Sequence, residues 1–368
     1  MFYQIFMPLI NTKLFGYYIF NVFQYVTFRS VGAFITALIF SLFLGPFWIK
    51  KIKNFQAVEI IDEYMPESHK KKTGTPTMGG LIILSGLLIS TFLWNNLSNS
   101  YIILMIITTV WLGGVGFLDD YLKNIKRSKD GLIAKYKLIF QLFLGLGISL
   151  YLYISNPDIA KISVPFLKNV VLNLGWLFIP FVVFLIVGAS NAVNLTDGLD
   201  GLAAGTMAFA IFGIGVFAYI KGNFKIANYL NLEYINNSGE LVIYISAIIG
   251  TLVGFLWFNT KPAEIFMGDT GSLAMGGIIA VLAVLIKEEL VLGILGGIFV
   301  VEALSSLLQR YYFKYTRLKF GEGRRLFKMA PLHHHFEKLG MKEEKIVVRF
   351  WIIATLLLAL GLATIKLR

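Results

Sequence analysis

YIILMIITTVWLGGVGFLDDYLK, Tyr101 to Lys123, is the stretch whose reading decides the fold. Residues 101–118 carry no charge, and a membrane span needs roughly 17–25 mostly apolar residues. The run ends on Asp119 and Asp120, followed by a basic stretch from Lys123 to Lys137. Acids at a helix C-terminus oppose the helix dipole, so they are poor terminators. Carboxylates at the edge of lipid are costly and mark a site. A pair of them suits Mg²⁺, a hard cation that takes oxygen ligands and bridges phosphates, and one of the pair could instead serve as a base.

The rest of the chain repeats this pattern. Its 368 residues are 57% hydrophobic and 15% charged, with a mean hydropathy of +0.73; soluble domains run at about 45–50% apolar and about 25% charged. The composition therefore specifies an all-α, polytopic membrane protein. We read one membrane domain over 1–368 with ten candidate spans: 31–49, 78–95, 101–118, 135–154, 173–190, 198–220, 241–258, 270–286, 289–308 and 346–365. Residues 14–28, LFGYYIFNVFQYVTF, read as an interfacial segment before the first span, not as a signal peptide. With no cysteine there is no disulfide, thiol catalysis or thiolate metal site.

Loops after the first, third, fifth, seventh and ninth spans hold 22 Lys and Arg, against 9 on the other side. The positive-inside rule then places both termini outside and the loops at about 50–77, 119–135, 190–198, 258–270 and 309–345 in the cytoplasm. This asymmetry accounts for the net charge of +12 without a nucleic-acid partner.

Three further motifs fall on the same side as Asp119 and Asp120. NAVNLTDGLDGLA (Asn191 to Ala203) joins the fifth and sixth spans. Thr196 and Asp197 are N-cap types, and Asp197 and Asp200, three apart, would share one helical face. Asn191, Asn194 and Asp200 exceed what a capped turn needs and suggest hydrogen bonding to a polar ligand. FMGDTGS (Phe266 to Ser272) opens the eighth span, where Asp269 or Thr270 would cap the helix and Phe266 could stack on a base. KKTGTPTMGG (Lys71 to Gly80) opens the second span and contains Thr77. Three helix N-termini at one face suit phosphate, and Lys71, Lys72, Lys123 and Lys135 add charge. Together with the acids they describe a metal-dependent diphosphate site.

PLHHHFEKLG (Pro331 to Gly340) reads as a short amphipathic helix on the membrane. Consecutive helical residues point about 100° apart, so His333, His334 and His335 do not converge on a zinc ion, and at most one or two face the acids. Their role there would be phosphate contact or acid/base chemistry. Glu302, inside the ninth span, reads as a packed polar contact without a catalytic role. The chain has no P-loop, dinucleotide fingerprint or H-E-x-x-H motif, which disfavours P-loop ATP hydrolysis, dinucleotide redox chemistry and zinc proteolysis.

Through FLDDYLK, NLTDGLDGLA and MGDTGS the chain resembles the polyprenyl-phosphate N-acetylhexosamine-1-phosphate transferase superfamily. KKTGTPTMGG and MAPLHHHFEKLG are similar to the branch that transfers phospho-MurNAc-pentapeptide from UDP-MurNAc-pentapeptide to undecaprenyl phosphate, giving lipid I and UMP. The resemblance implies a ten-helix fold, a homodimer, Mg²⁺ dependence and a location in the bacterial cytoplasmic membrane. It implies Asp119, Asp120 and Asp269 as an acidic triad, Asp269 foremost as Mg²⁺ ligand, and a role for His333 in activity. Lys72, Asn194, Asp197, Asp200, Asn259, Phe266, Gln309 and His334 match positions around the nucleotide, and Lys123 and Lys135 match basic positions near the phosphates. Thr77, Asn191 and His335 complete the expected substrate-binding set. Transfer of N-acetylglucosamine phosphate and, from a different class, ion-coupled transport are the rival readings.

Overall fold

The computed structural model describes residues 1–13, 18–55, 74–128, 131–167 and 170–366. Its membrane-embedded body is built from α1 (Val26–Asn54), α2 (Gly80–Trp94), α3 (Ser100–Asp120), α4 (Ala134–Ser155), α5 (Phe178–Thr196), α6 (Leu202–Lys221), α7 (Gly239–Asn259), α8 (Gly268–Leu285), α9 (Glu289–Leu295), α10 (Gly297–Phe320), α11 (Leu332–Lys338) and α12 (Glu343–Ala363). The single sheet among the described residues is an antiparallel hairpin, Lys161–Ser163 with Val171–Asn173.

Each of the ten sequence spans meets a helix, but two depart from the expectation. Eight helices among the described residues are long and apolar enough to cross a membrane. α2 has 15 residues, about 22 Å at 1.5 Å per residue, short of the roughly 30 Å hydrocarbon core. Both its ends are pinned. Gly79 and Gly80 donate their N–H groups to Phe266 O and Met267 O at 2.7 and 2.8 Å. Asn95, at the other end, donates to Glu240 O at 2.9 Å, beside the part-buried Arg29–Glu240 ion pair. The expected span 289–308 is broken: α9 and α10 meet at 80°. The break falls at Gly296 and Gly297, a pair with poor helix propensity, and α10 then runs on to Phe320, past the apolar window. At the N-terminus, Ile19–Gln24 forms a 3₁₀ turn and α1 begins at Val26, earlier than the sequence placed it.

α8 is the centre of the bundle. Of its 18 residues, 16 are buried, and it packs against α2, α3 and α5. Hydrophobic burial gives no preference for helix over lipid inside a bilayer, so such packing depends on close approach and polar contacts. Both are present. A Cβ on Gly80 would lie 2.1 Å from Gly271 N, and one on Gly276 2.4 Å from Ala189 O. Ser190 donates to Leu273 O at 2.9 Å and accepts from Gln141 at 3.1 Å, tying α5 to α8 and α4. At the site end, a Cβ on Gly116 would lie 2.2 Å from the Asp269 carbonyl oxygen. Gly116→Ala should therefore separate α3 from α8 and destabilise the protein by about 1–3 kcal/mol through overpacking. A lowered midpoint of thermal unfolding in detergent is the expected readout.

Candidate active site

Gly116 brings the C-terminal end of α3 against the N-terminal end of α8. The first N–H groups of α8 have no partner within their own helix. Asp120, buried on α3, supplies it. Its Oδ1 accepts from Asp269 N at 3.2 Å, and its Oδ2 accepts from Thr270 N at 2.9 Å and from Thr270 Oγ1 at 2.6 Å. The sequence pointed to Asp269 or Thr270 as the cap of this helix. The cap is instead a carboxylate from another helix, which leaves the Asp269 side chain available to the site. The same exchange explains the acids at the end of α3: they oppose their own helix dipole but meet the positive end of α8.

Asp119 and Asp269 form the other half of the cluster. Asp119 Oδ2 lies 2.6 Å from Lys123 Nζ and 2.7 Å from Lys137 Nζ. Asp269 Oδ2 lies 2.5 Å from Lys137 Nζ and 3.5 Å from Lys123 Nζ. The remaining oxygens are held as well: Asp119 Oδ1 accepts from Leu132 N at 2.7 Å, and Asp269 Oδ1 accepts from Asn194 at 2.8 Å. The three carboxylates each offer one oxygen within 4.8 Å of the others. This is a hard-oxygen donor set of the kind Mg²⁺ takes, so the residues present fit that ion. Asp120 is the most committed to the helix terminus; Asp119 and Asp269 each direct one oxygen to the same two lysine ammonium groups.

Lys137 was not among the expected site residues, whereas Lys135 was. The two are separated by about 200° around a helix, so only one can face the acids. α4 buries Gln141, Leu144, Gly145, Ile148, Ser149 and Leu152. Lys137 lies one turn before Gln141 on this inner face, and Lys135 is exposed. The periodicity of α4 held the signal.

Asp120 and Asp269 line one side of a cavity of about 290 Å³, while Asp119 is fully buried and not on its wall. Thr77, Asp120, Lys123, Asn194, Asp197, Asp200, Asn259, Phe266, Asp269, His333 and His334 all line it. Asn191, Gln309 and His335 are not on its wall. Asn191 bonds Gln141 and Val187 O within the α4–α5 contact. Gln309 accepts from Leu326 N and Phe327 N at 3.0 and 2.9 Å, and His335 Nδ1 accepts from Lys328 N at 3.1 Å. These two side chains pin the 326–328 loop. Lys72 and Lys71 lie outside the described residues.

The Asp197–Gly201 segment is a turn, not the first turn of the sixth helix as its cap-type residues suggested. α5 continues to Thr196, whose hydroxyl bonds back to Ala192 O at 2.8 Å, and Asp197 is its C-cap. α6 begins only after Gly201, which sits at φ +78°. Gly201 N donates to Asn259 Oδ1 at 3.0 Å, and Asn259 in turn donates to Ile265 O at 2.9 Å. Asp200 Oδ2 accepts from Ala263 N at 3.2 Å, while its own N–H reaches Glu343 Oε1 at 3.0 Å. Lys261 bridges Glu343 and Glu344 beside it. Burial works against its charge, but hydrogen bonds to Glu344 and Glu343 outweigh that and raise it above the ordinary lysine value. At α2, α6 and α8, then, terminal N–H groups that the sequence offered to phosphate already bond Phe266 O and Met267 O, Asn259 and Asp120. The ammonium groups that stand at the acids are those of Lys123 and Lys137.

His333 and His334 are buried on α11, with Pro331 as its N-cap. His334 Nδ1 lies 2.8 Å from Glu337 Oε2. His333 is held by Glu302, whose Oε1 accepts from His333 N at 3.2 Å and whose Oε2 lies 3.1 Å from Nδ1. Glu302, read from sequence as a packing contact, is thus attached to the site.

Residues 102–287 of this predominantly helical, membrane-spanning chain match the model of glycosyl transferase family 4, which defines its class as a membrane-embedded transferase. Among curated proteins, the chain is 49% identical over 352 residues to a phospho-N-acetylmuramoyl-pentapeptide-transferase of Endomicrobium trichonymphae, covering 95% of this chain and 96% of the relative. Relatives of the same description in Chlorobium chlorochromatii (51% over 352 residues, 95% of each chain) and Desulfotalea psychrophila (48% over 368 residues, 100% of each) match equally broadly. The chain belongs to the phospho-N-acetylmuramoyl-pentapeptide-transferase family. The family 4 match spans Asp119 to Asp269 but not Glu302 or the histidines, which come from the last part of the chain.

Two outcomes separate the roles of these residues. Asp120→Ala should lower stability by about 2 kcal/mol through loss of the α8 cap and its charged hydrogen bonds, whereas Asp119→Asn should abolish turnover with little change in unfolding midpoint. Lys137→Ala should reduce turnover at least about 10-fold, as expected for loss of a preorganised charge, while Lys135→Ala should leave it near wild type; steady-state kinetics of the two variants side by side decide this.

Proposed function

We propose that the chain transfers phospho-MurNAc-pentapeptide from UDP-MurNAc-pentapeptide to undecaprenyl phosphate, giving lipid I and UMP. The observation that carries this reading is the Asp119–Asp269–Lys123–Lys137 cluster, opening on a polar cavity at the ends of membrane helices. One substrate is soluble and the other is a lipid, so the reaction requires a polar site at the membrane edge. An oxygen of the lipid phosphate attacks the β-phosphorus of the nucleotide, and the bond from that phosphorus to the UMP oxygen breaks. One diphosphate linkage replaces another, which is why no ATP is needed. Catalysis of this kind is mainly positioning and charge neutralisation.

In this reading Asp269 and Asp119 hold Mg²⁺, which when bound neutralises charge on the diphosphate. Lys123 and Lys137, released from the two carboxylates, turn to the phosphate oxygens. Asp119 orients the lipid phosphate, Asn194 holds Asp269, and Phe266, Asn259, Asp197 and Asp200 frame the nucleotide end. The reading includes a homodimer in the bacterial cytoplasmic membrane, the cavity on the cytoplasmic face and both termini outside.

The test is UMP release by purified protein in detergent with undecaprenyl phosphate and Mg²⁺, offered either UDP-MurNAc-pentapeptide or UDP-N-acetylglucosamine. Release with the muramoyl donor alone, lost on chelation with EDTA and restored by Mg²⁺, is the expected result. Release with the N-acetylglucosamine donor alone would move the chain to the sister activity, and release with neither would remove the transferase reading.

A further inference from the structure

One polar atom on the cavity wall has no partner. His333 is fully buried, and its Nε2 makes no hydrogen bond. A Cβ on Gly198 would lie 2.2 Å from this atom, so Nε2 faces the turn that carries Asp197 and Gly198, both on the cavity wall. The opposite side of the ring is fixed. Glu302 is fully buried in α10 and directs both carboxylate oxygens to one residue, Oε1 to the His333 backbone N–H and Oε2 to Nδ1. A carboxylate only accepts hydrogen bonds, so Nδ1 carries a proton, and in the neutral ring the lone pair then lies on Nε2. A base whose far nitrogen is held by a third, buried acceptor is the arrangement that activates acid/base histidines on unrelated folds.

We propose that Glu302 is a positioning residue for His333, holding it as the Nδ1–H tautomer so that Nε2 takes up the proton of the phosphate acceptor. This rests on the transferase reading above. As the lipid phosphate oxygen bonds to the β-phosphorus, its proton passes to Nε2. The phosphorus–oxygen bond to UMP breaks with its electron pair on UMP, and Nε2 returns the proton to the UMP phosphate. Glu302 stabilises the imidazolium between these two events. The position of Glu302 follows from the break at Gly296, which turns α10 away from α9 and sets its first turns against α11.

Glu302→Gln tests this with almost no change in volume. The His333 backbone N–H requires an acceptor, so the amide oxygen must take the Oε1 place. The amide NH₂ then faces Nδ1 and donates to it, forcing the ring proton onto Nε2. The full-length protein in detergent is assayed for kcat and KM with UDP-MurNAc-pentapeptide, and ¹⁵N-histidine spectra report the tautomer, with His333→Ala identifying the resonance.

The expected result is a shift of His333 to the Nε2–H tautomer and a fall in kcat of roughly 100-fold or more, with little change in KM. Glu302→Gln combined with His333→Ala should be no slower than His333→Ala alone. Glu302→Asp, which still only accepts, should keep Nδ1–H and a kcat above that of His333→Ala, and it carries the test if the Gln variant does not fold. An unchanged tautomer in Glu302→Gln, turnover within about threefold of wild type, additive losses in the double variant, or a folded Glu302→Asp with Nε2–H would each overturn the proposal. If the wild type releases no UMP, the transferase reading fails by itself, and the tautomer spectra still decide whether Glu302 orients the ring.

Discussion

The carboxylate of Asp120 on the N-terminus of α8 is the contact on which the rest of the site depends. α8 is the most enclosed helix of the bundle, and an orphan N–H group in apolar surroundings is costly because no water replaces the lost partner. Satisfying Asp269 N–H and Thr270 N–H from α3 joins the two helices at one point. That point also fixes where the Asp269 side chain stands relative to Asp119. Gly116 and Gly268 make room for the approach, since a Cβ on either would press on Asp269 O or Asp120 Oδ2. One hydrogen-bonded junction therefore anchors the bundle and assembles the acids.

The junction also divides labour among residues of one type. Asp120 spends its oxygens on backbone N–H groups, so it holds the architecture. Asp119 and Asp269 present oxygens to two side-chain ammonium groups. Lys123 and Lys137 each reach both Asp119 and Asp269, so the two acids are bridged twice. Asn259, on the wall of the same cavity, repeats the capping device at Gly201. His333, on the cavity wall, and Glu302 behind it form a second pair, contributed by the part of the chain beyond the family 4 match.

Much of this was legible in the residue order. Apolar runs between charged ends marked the helices, because the length of lipid to be crossed sets the length of such runs. Asp119, Asp120 and Asp269 stood out because charge at the edge of lipid is costly and is kept for a reason. Most of the polar residues singled out from the motifs do line one cavity. Where the structure adds to or departs from that reading, the cause is shared. Lys137 and not Lys135 meets the acids, terminal N–H groups already bond protein acceptors, Thr196 and Asp197 close a helix instead of opening one, and the packed polar contact of Glu302 turns out to be with His333. In each case the deciding partner lies far along the chain.

The sequence alone therefore determined what is local: helices, their approximate ends, and a concentration of acids, amides and histidines where helices meet the membrane surface. Tertiary structure decided which donor meets which acceptor. Only packing shows that Asp120 caps α8, that α4 turns Lys137 inward, that Gly296 breaks the ninth span, and that Glu302 reaches His333 across 31 residues. Hydrophobic periodicity is a property of neighbours three or four residues apart, whereas a hydrogen bond between helices depends on their rotation and register, which are settled by the whole bundle at once.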